Sequence, residues 1–338
     1  TENIGGMIAR SKSLESALLS PGGDSFRIIY YHLVAPSLPP YYFESKFITP
    51  EILREQIRHF KKRYKFISLY DALDKQSRGE PLKGYMAVTT DDGFSENYHY
   101  IAPILREENV TATFFLIDNC IDNRNLMWRN KLIYLQHQKG IPEAVKLAEK
   151  FSKEHSIPAP EEKENLLSWS SRTWGMPQKD EWAKQLWELA KLEPIEDFLG
   201  HYKPYLTVAQ IHSLMAEGFD MGSHSKTHPE FEKLSLEEAE HEILDSLRGI
   251  SRKIGKEIDL FAYPFSRRAL SHIEAEIVSR HSGKFKTLLG IKSGLSNFNN
   301  PYQWERDGLE FSYHSALFRY TFLPLLRRYA LSPLNIKR

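Results

Sequence analysis

The sequence predicts an α/β protein whose parallel strands form a barrel or a doubly wound sheet, with a helical insertion in the middle of the chain. Two observations predict this class. Short apolar, β-branched runs alternate with amphipathic helical segments on both sides of residues 120–205, and such alternation is typical of parallel strand pairing. Residues 120–205 are rich in charge and tryptophan, have helical periodicity, and are too numerous for a structureless loop in a compact domain.

Before the insertion, apolar and β-branched runs predict strands over 26–34, 65–69, 86–91 and 110–117. The segment 49–64 predicts a helix, because Thr49 is suited to the N-cap, Pro50 to the first helical position, and the apolar residues form one stripe. A second helix is predicted over 97–109.

After the insertion, strands are predicted over 219–224, 258–265 and 284–290, and helices over 207–218, 235–255 and about 269–281. Thr207 with Gln210, and Ser235 with Glu238, have the spacing of capping boxes. Gly255 stands where a helix would end. We therefore divide the chain into an N-terminal extension (1–25), a first barrel part (26–119), the insertion (120–205), a second barrel part (206–310) and a C-terminal tail (311–338).

Composition and charge exclude several function classes. The chain has 45 Lys+Arg against 44 Asp+Glu, and this balance argues against a nucleic-acid partner bound through bulk charge. The single cysteine, Cys120, excludes an internal disulfide and a cysteine-rich zinc site. Without an apolar run of membrane-spanning length or a recognisable signal peptide, we expect a cytoplasmic protein. A periplasmic or extracellular protein whose signal peptide had been removed would look the same.

Charged and polar residues follow the predicted strands at three places, in "TTDDG", "GSHSKTHP" and "FAYPF". The adjacent carboxylates of Asp91 and Asp92 are costly to bury without a cation. His224 and His228, with one carboxylate, would form a three-ligand metal site that leaves a position for water. Each pattern alone is common, as a turn or as ordinary histidines. Their joint occurrence at barrel strand ends favours a metal site.

These motifs resemble those of the polysaccharide deacetylases with NodB homology, carbohydrate esterase family 4. The family's T-F-D-D-G motif appears as Thr-Thr-Asp-Asp-Gly at 89–93, and its H-[ST]-x-x-H motif as "HSKTH" at 224–228. The motif layout is most similar to that of the poly-N-acetylglucosamine and exopolysaccharide-type deacetylases. The resemblance covers roughly 26–119 and 206–310, and it implies a distorted (β/α) barrel of the NodB type.

The resemblance implies a role for each matched residue. Asp91 would be the general base. Asp92, His224 and His228 would bind a divalent metal, zinc first, with cobalt or nickel as alternatives. The backbone N–H of Phe265 would stabilise the oxyanion.

The leaving amine also needs an acid. Many family members supply it from a late L-x-H motif, which has no clear equivalent here; His314 is the one late candidate. His32, in "YYHLV", resembles the histidine near the start of the poly-N-acetylglucosamine deacetylases that serves as the acid. We assign the role to His32.

One position departs from the family pattern. Ala262 stands where many members have the arginine that orients the base. Arg306 resembles an arginine that follows the last barrel strand in the poly-N-acetylglucosamine deacetylases, and it could take that role. An ordinary surface ion pair with Glu305 or Asp307 is the alternative.

Aromatic residues are candidates for stacking on sugar rings, with core packing as the alternative for each: Tyr263, Trp304, Trp128 and Trp174. The tail segment 317–331 is apolar with interleaved arginines, so it either packs on the barrel or lies on a membrane surface.

Together these features predict a metal-dependent N-deacetylase of an N-acetylated sugar, in a polysaccharide or in its lipid- or nucleotide-linked precursor. Competing interpretations are a deacylase of another amide or of an O-acetyl ester, and a non-catalytic carbohydrate-binding or assembly protein. The sugar, its linkage, the native metal and the oligomeric state stay open.

Overall fold

A computed structural model describes residues 26–43, 47–265, 268–291 and 298–310. The predicted N-terminal extension (1–25) and the C-terminal tail (311–338), with His314 and the predicted membrane contact of 317–331, lie outside the described residues. No helix of the described part is both long and apolar enough to cross a membrane.

The fold is built on a curled parallel sheet. The strands are β1 (Arg27–Tyr31), β2 (Leu33–Val34), β3 (Phe47–Ile48), β4 (Lys65–Phe66), β5 (Tyr85–Thr90), β6 (Thr113–Leu116), β7 (Asp220–Ser223), β8 (Leu260–Ala262), β9 (Thr287–Leu289) and β10 (Asp307–Gly308). The main sheet runs β10-β1-β5-β6-β7-β8-β9, with β4 paired to β5, and β2 pairs with β3 separately. A parallel bridge between Gly290 and Glu305 joins the two ends of the main sheet. The α/β barrel prediction is therefore confirmed.

Helices surround this sheet. They are α1 (Pro50–Lys61), α2 (Leu69–Ser77), α3 (Ala102–Glu107), α4 (Trp128–Lys139), α5 (Ile141–His155), α6 (Leu166–Thr173), α7 (Lys179–Leu189), α8 (Ile195–Tyr202), α9 (Val208–Ala216), α10 (Leu236–Ile254) and α11 (Ser271–His281). The predicted N-cap at Thr49 is confirmed. Both predicted capping boxes are present, at α9 and α10, and Gly255 ends α10 with a left-handed φ of 67°.

Several predicted elements differ from the structure in extent or in type, among them the following three. The strand predicted over 65–69 ends at Phe66, because the Ser68 hydroxyl accepts a hydrogen bond from the Asp71 amide (3.0 Å) and starts α2. The strand predicted over 26–34 is interrupted at His32, which leaves β1 and β2 as separate strands. The helix predicted over 97–109 begins with a π-helical turn at Asn97–Ile101.

The helices α4 to α8 share a second hydrophobic core with residues at the carboxyl end of the barrel strands, among them Leu33, Phe94 and Ile117. This core is distinct from the one between the barrel and its outer helices. Tryptophans dominate the second core; Trp174, for example, lies edge-on to Trp169 and Trp182 at ring-centroid distances of 5.4 and 5.6 Å. Burial of aromatic rings accounts for the tryptophan-rich composition of this segment. The division of the chain into domains stays a prediction.

Candidate active site

Asp91 and Asp92 follow β5 at the carboxyl end of the sheet, and both are almost completely buried. The Asp91 amide continues the sheet pairing by donating to the Tyr31 carbonyl (2.9 Å). Asp92 then adopts a left-handed backbone with φ of 68°, which is uncommon for a residue other than glycine. This turn points two consecutive carboxylates in different directions, so they can have different partners.

The loop after β7 brings His224 and His228 to the same point. The Ser225 hydroxyl accepts the His228 amide (2.9 Å), and Ser225 and His228 both have left-handed φ values, of 73° and 58°. From α10, the Glu242 carboxylate accepts the amides of Lys226 and Thr227, each at 2.9 Å. A loop fixed from two sides can hold two imidazoles in one orientation despite its backbone strain.

Asp92, His224 and His228 form a buried cluster whose three donor atoms all lie within 4.8 Å of one another. The Asp92 Oδ1 atom is 3.2 Å from His228 Nε2 and 3.6 Å from His224 Nε2. This oxygen accepts no hydrogen bond from a described residue. His224 Nδ1 is 2.9 Å from the Ala262 carbonyl, which fixes the proton on Nδ1 and leaves Nε2 free as a ligand.

The protonation states also suit a metal. Burial lowers the pKa of His224 to about 4, so its imidazole is neutral near pH 7. Burial raises the pKa of the Asp92 carboxyl, but the neighbouring His228, His32 and His224 outweigh it and leave that pKa below its ordinary value. Two histidine imidazoles and one carboxylate are ligands that zinc accepts, so the donor set fits a divalent ion.

Arg306 lies on Asp91, 215 residues away in sequence. Its Nη1 and Nη2 donate to the two Asp91 oxygens at 2.6 and 2.9 Å, and the arginine is 1% exposed. The guanidinium also lies over the rings of Tyr30 and Phe115. Burial raises the pKa of the Asp91 carboxyl, but Arg306, His224 and His32 outweigh burial and leave that pKa below its ordinary value. Asp91 is thus an ionised carboxylate held in one orientation, and the alternative of a surface ion pair for Arg306 is wrong.

His32 lies at the break between β1 and β2, beside a carboxylate that the sequence did not single out. Its Nδ1 is 2.6 Å from Oε1 of the buried Glu310, and the same oxygen accepts the His32 backbone amide at 2.6 Å. Burial lowers the pKa of His32, but Glu310 and then Asp92 and Asp91 raise it to a net value above the ordinary one. A raised pKa increases the fraction of the imidazole that is protonated near neutral pH, which suits a proton donor.

The stacking role for Trp304 and Tyr263 is wrong, because both rings are buried. Trp304 is 0% exposed and packs in the barrel interior, edge-on to Phe26 and Phe298. Tyr263 is 1% exposed and packs edge-on against Phe231 and Phe261 under α10 and α11.

The other two tryptophan candidates are also buried, at 1% exposure for Trp128 and 3% for Trp174. Trp174 packs in the core of α4 to α8. Trp128 has a different function near the site: its Nε1 donates to the His228 carbonyl (3.0 Å). It therefore ties α4 to the histidine loop instead of stacking on a sugar.

Phe265 lies beside the metal cluster, partly exposed, with φ of 60° and its ring edge-on to His228 at 4.7 Å. Its predicted role through the backbone N–H stays a prediction. Sequence reasoning missed Glu310, Glu242 and Tyr42. Glu310 follows Arg306 by four residues and stands between Leu309 and Phe311, and a carboxylate between two large apolar residues was the signal that could have drawn attention to it.

Comparisons with known proteins agree with this geometry. A family model described as polysaccharide deacetylase matches residues 78–159 and 189–277, about half of the chain. A search of curated proteins found no significant match.

Three solved structures show the same fold at low sequence identity. The Streptococcus pyogenes deacetylase PplD in complex with acetate aligns with a TM-score of 0.56 and 15% identity, over 88% of this chain and 97% of that one. IcaB from Ammonifex degensii aligns with a TM-score of 0.55 and 14% identity, over 90% of this chain and 99% of that one. A de-N-acetylase from Aggregatibacter actinomycetemcomitans aligns with a TM-score of 0.54 and 13% identity, over 87% and 99%.

Proposed function

Since this chain belongs to the polysaccharide deacetylase family, we propose that it is a divalent-metal-dependent hydrolase that removes N-acetyl groups from a sugar of a polysaccharide or of its lipid- or nucleotide-linked precursor. One observation supports this more than any other. The two adjacent carboxylates have separate partners: Asp91 is bound to Arg306, and Asp92 faces His224 and His228. A base and a ligand need this division of environments.

Asp92, His224 and His228 would hold the ion, zinc first, with cobalt and nickel as alternatives that nitrogen and oxygen donors accept. When bound, such an ion polarises the acetyl carbonyl and makes hydroxide available near neutral pH. His224 keeps its Nε2 lone pair on this side because its Nδ1 faces the Ala262 carbonyl.

Asp91 would accept the proton of the attacking water. The pKa of Asp91 lies below its ordinary value because of Arg306, so the carboxyl is ionised at neutral pH. Arg306 occupies one direction at each oxygen, and the remaining lone pairs can take the proton. Arg306 would thereby orient the base, which the alanine at position 262 cannot do.

His32 would protonate the leaving nitrogen, since an amine leaves poorly as an anion. Glu310 holds Nδ1, so Nε2 is the ring nitrogen left to donate. The backbone N–H of Phe265 would donate to the oxyanion as the carbonyl becomes tetrahedral. The products are acetate and a free amino sugar, and the proton taken by Asp91 balances the one given by His32.

The test is product analysis on a panel of acetylated glycans. We expect acetate release from N-acetylglucosamine oligomers with a new free amine in equal amount, loss of release with a chelator, and recovery with zinc, cobalt or nickel. Acetate release from O-acetylated sugars without a new amine would instead identify an esterase. No acetate from any substrate in the metal-loaded protein would contradict the proposed function.

A further inference from the structure

Arg129, on α4, has an unusual environment for a cation. Its guanidinium lies over the ring of Phe265 at 4.7 Å and over the ring of Phe43 at 5.6 Å. Among the described residues, none forms an ion pair or a hydrogen bond with its side chain. Burial lowers the pKa of Arg129, and Tyr42, Asp92 and Glu230 raise it in part from a distance. The charge is therefore partly desolvated and has no direct partner among the described residues. Such a charge costs free energy unless something compensates it.

The cavity beside Arg129 opens next to the metal cluster. It has a volume of about 300 Å³. Besides Arg129, its lining residues are Trp128, Leu167, Ser171, Glu230, Glu232, Lys233 and Phe265. Phe265 contacts the His228 ring, and the Trp128 side chain is hydrogen-bonded to the His228 backbone. A group bound in this cavity would therefore be a short distance from the site of hydrolysis.

The other charged groups on the cavity wall are Glu230, Glu232 and Lys233, and each of them already has a partner. Glu230 Oε1 accepts the Ser171 hydroxyl at 2.7 Å, and Glu230 Oε2 lies 2.7 Å from Lys233 Nζ. Neither Glu230 nor Lys233 needs Arg129 for neutralisation. Among the described residues of this wall, Arg129 is thus a cation whose guanidinium N–H groups are still available to a ligand.

Tyr42 adds an independent observation. Its ring stacks on Phe43 with a centroid distance of 4.6 Å and an interplanar angle of 16°. The phenol is 3% exposed, and its hydroxyl has no hydrogen-bond partner among the described residues. Tyr42 interacts electrostatically with Arg129 on one side and with the active-site carboxylates Glu310 and Asp92 on the other. Buried hydroxyls are normally satisfied, so this orphan indicates that a polar ligand reaches the space between Arg129 and the active site.

We infer that Arg129 recognises an anionic group, a carboxylate or a phosphate, carried by the glycan next to the acetamide that is hydrolysed. The inference rests on the proposed deacetylase function and names its substrate class: an acidic N-acetylated glycan or a phosphorylated precursor. The planar guanidinium matches both oxyanions in bidentate fashion, and the flanking rings keep it oriented. A neutral hydroxyl would leave the charge uncompensated.

Steady-state kinetics on three substrates test this inference. They are chitotetraose as the neutral reference, a hyaluronan tetrasaccharide for the carboxylate source and N-acetylglucosamine 1-phosphate for the phosphate source. We expect Arg129→Gln to lower kcat/KM for one anionic substrate roughly 10- to 100-fold more than for chitotetraose, by the usual strength of hydrogen bonds to charged groups. Arg124→Gln is the control, because Arg124 is exposed and pairs with Asp122. An anionic-to-neutral ratio that is equal in wild type and Arg129→Gln would overturn the inference.

Binding separates this outcome from failure of the proposed function. Calorimetry should show tighter binding of one anionic probe to the wild-type protein than to Arg129→Gln, whether or not acetate is released. Arg129→Lys retains the charge without the fork and serves if Arg129→Gln does not fold; it should lose part of the preference. Equal binding to wild type and both variants would refute the anion site even in an active deacetylase.

Discussion

Replacing Arg306 with methionine is expected to destabilise the protein far more than the loss of an exposed arginine would. The substitution keeps much of the apolar volume between Tyr30 and Phe115 but removes both hydrogen bonds to Asp91. The Asp91 carboxylate is then buried without its main counter-charge and directly beside Asp92. The cost is that of an uncompensated buried anion.

The magnitude follows from burial and distance. The Arg306 and Asp91 side chains are 0% and 3% exposed. Two unit charges about 4 Å apart attract by about 4 kcal/mol at an effective dielectric constant of about 20. Breaking a buried pair from one side typically costs about 3–5 kcal/mol. We therefore expect the free energy of unfolding to fall by about 3–5 kcal/mol at pH 7 in the metal-free protein.

The pH dependence has a definite sign. In the wild type, the pKa of Asp91 lies below its ordinary value, so its stabilising contribution is present at neutral pH and lost as pH falls through that low pKa. Without Arg306, burial raises the Asp91 pKa, and the variant loses stability as pH rises through it. The difference in the free energy of unfolding between the wild type and Arg306→Met should therefore become smaller toward acid pH.

Urea unfolding of four proteins measures this effect: wild type, Arg306→Met, Asp91→Asn and the double variant. The double variant removes both charges and should recover much of the lost stability. Arg106→Met is the matched control, because its pair with Glu217 is equally short at 2.8 Å but the arginine is 60% exposed, and it should lose less than about 1 kcal/mol. A similar small loss for Arg306→Met, or no recovery in the double variant, would refute the reasoning.

Three further predictions concern the acid and the histidine loop. His32→Ala should lose about 10²-fold or more on an N-acetyl sugar and much less on an aryl acetate, with its metal retained, because the acid assists only a poor leaving group; equal losses on both would exclude the role. Glu310→Gln should move the alkaline limb of the pH–rate profile to lower pH, because Glu310 raises the pKa of His32 and the protonated form is the active one; an unmoved limb, as expected for His314→Ala, would contradict it. Glu242→Ala should weaken zinc binding about 10- to 100-fold in a zinc titration, since Glu242 holds the loop that carries both histidines; unchanged affinity would show that the loop does not need it.

The metal cluster could be predicted from the sequence because its signals are local. Asp92 directly follows the predicted strand over 86–91. The two histidines are four positions apart and begin at the end of the predicted strand over 219–224. In a parallel barrel the carboxyl ends of all strands lie on one side, so the fold class alone predicts that these residues meet. The capping boxes were predictable for the same reason, since each lies within four consecutive residues.

Glu310 and the buried tryptophans could not be predicted because they depend on long-range pairing. Glu310 reaches His32 only because β10 lies beside β1, and those strands are about 280 residues apart in sequence. Trp304 faces the barrel interior, yet its residue type fits a sugar platform equally well. The residue type alone does not tell whether an aromatic side chain points into the barrel or toward solvent.

The two neighbouring aspartates allow the most direct test of the account, in which Asp92 holds the metal and Asp91 serves as the base. Asp91→Asn and Asp92→Asn change the same functional group at adjacent positions, so each is the control for the other. Metal content by mass spectrometry and acetate release from an N-acetylglucosamine oligomer would be measured on both. The account predicts that Asp91→Asn keeps its metal and loses most of its rate, whereas Asp92→Asn loses the metal. The opposite distribution, or full metal content in both variants, would contradict it.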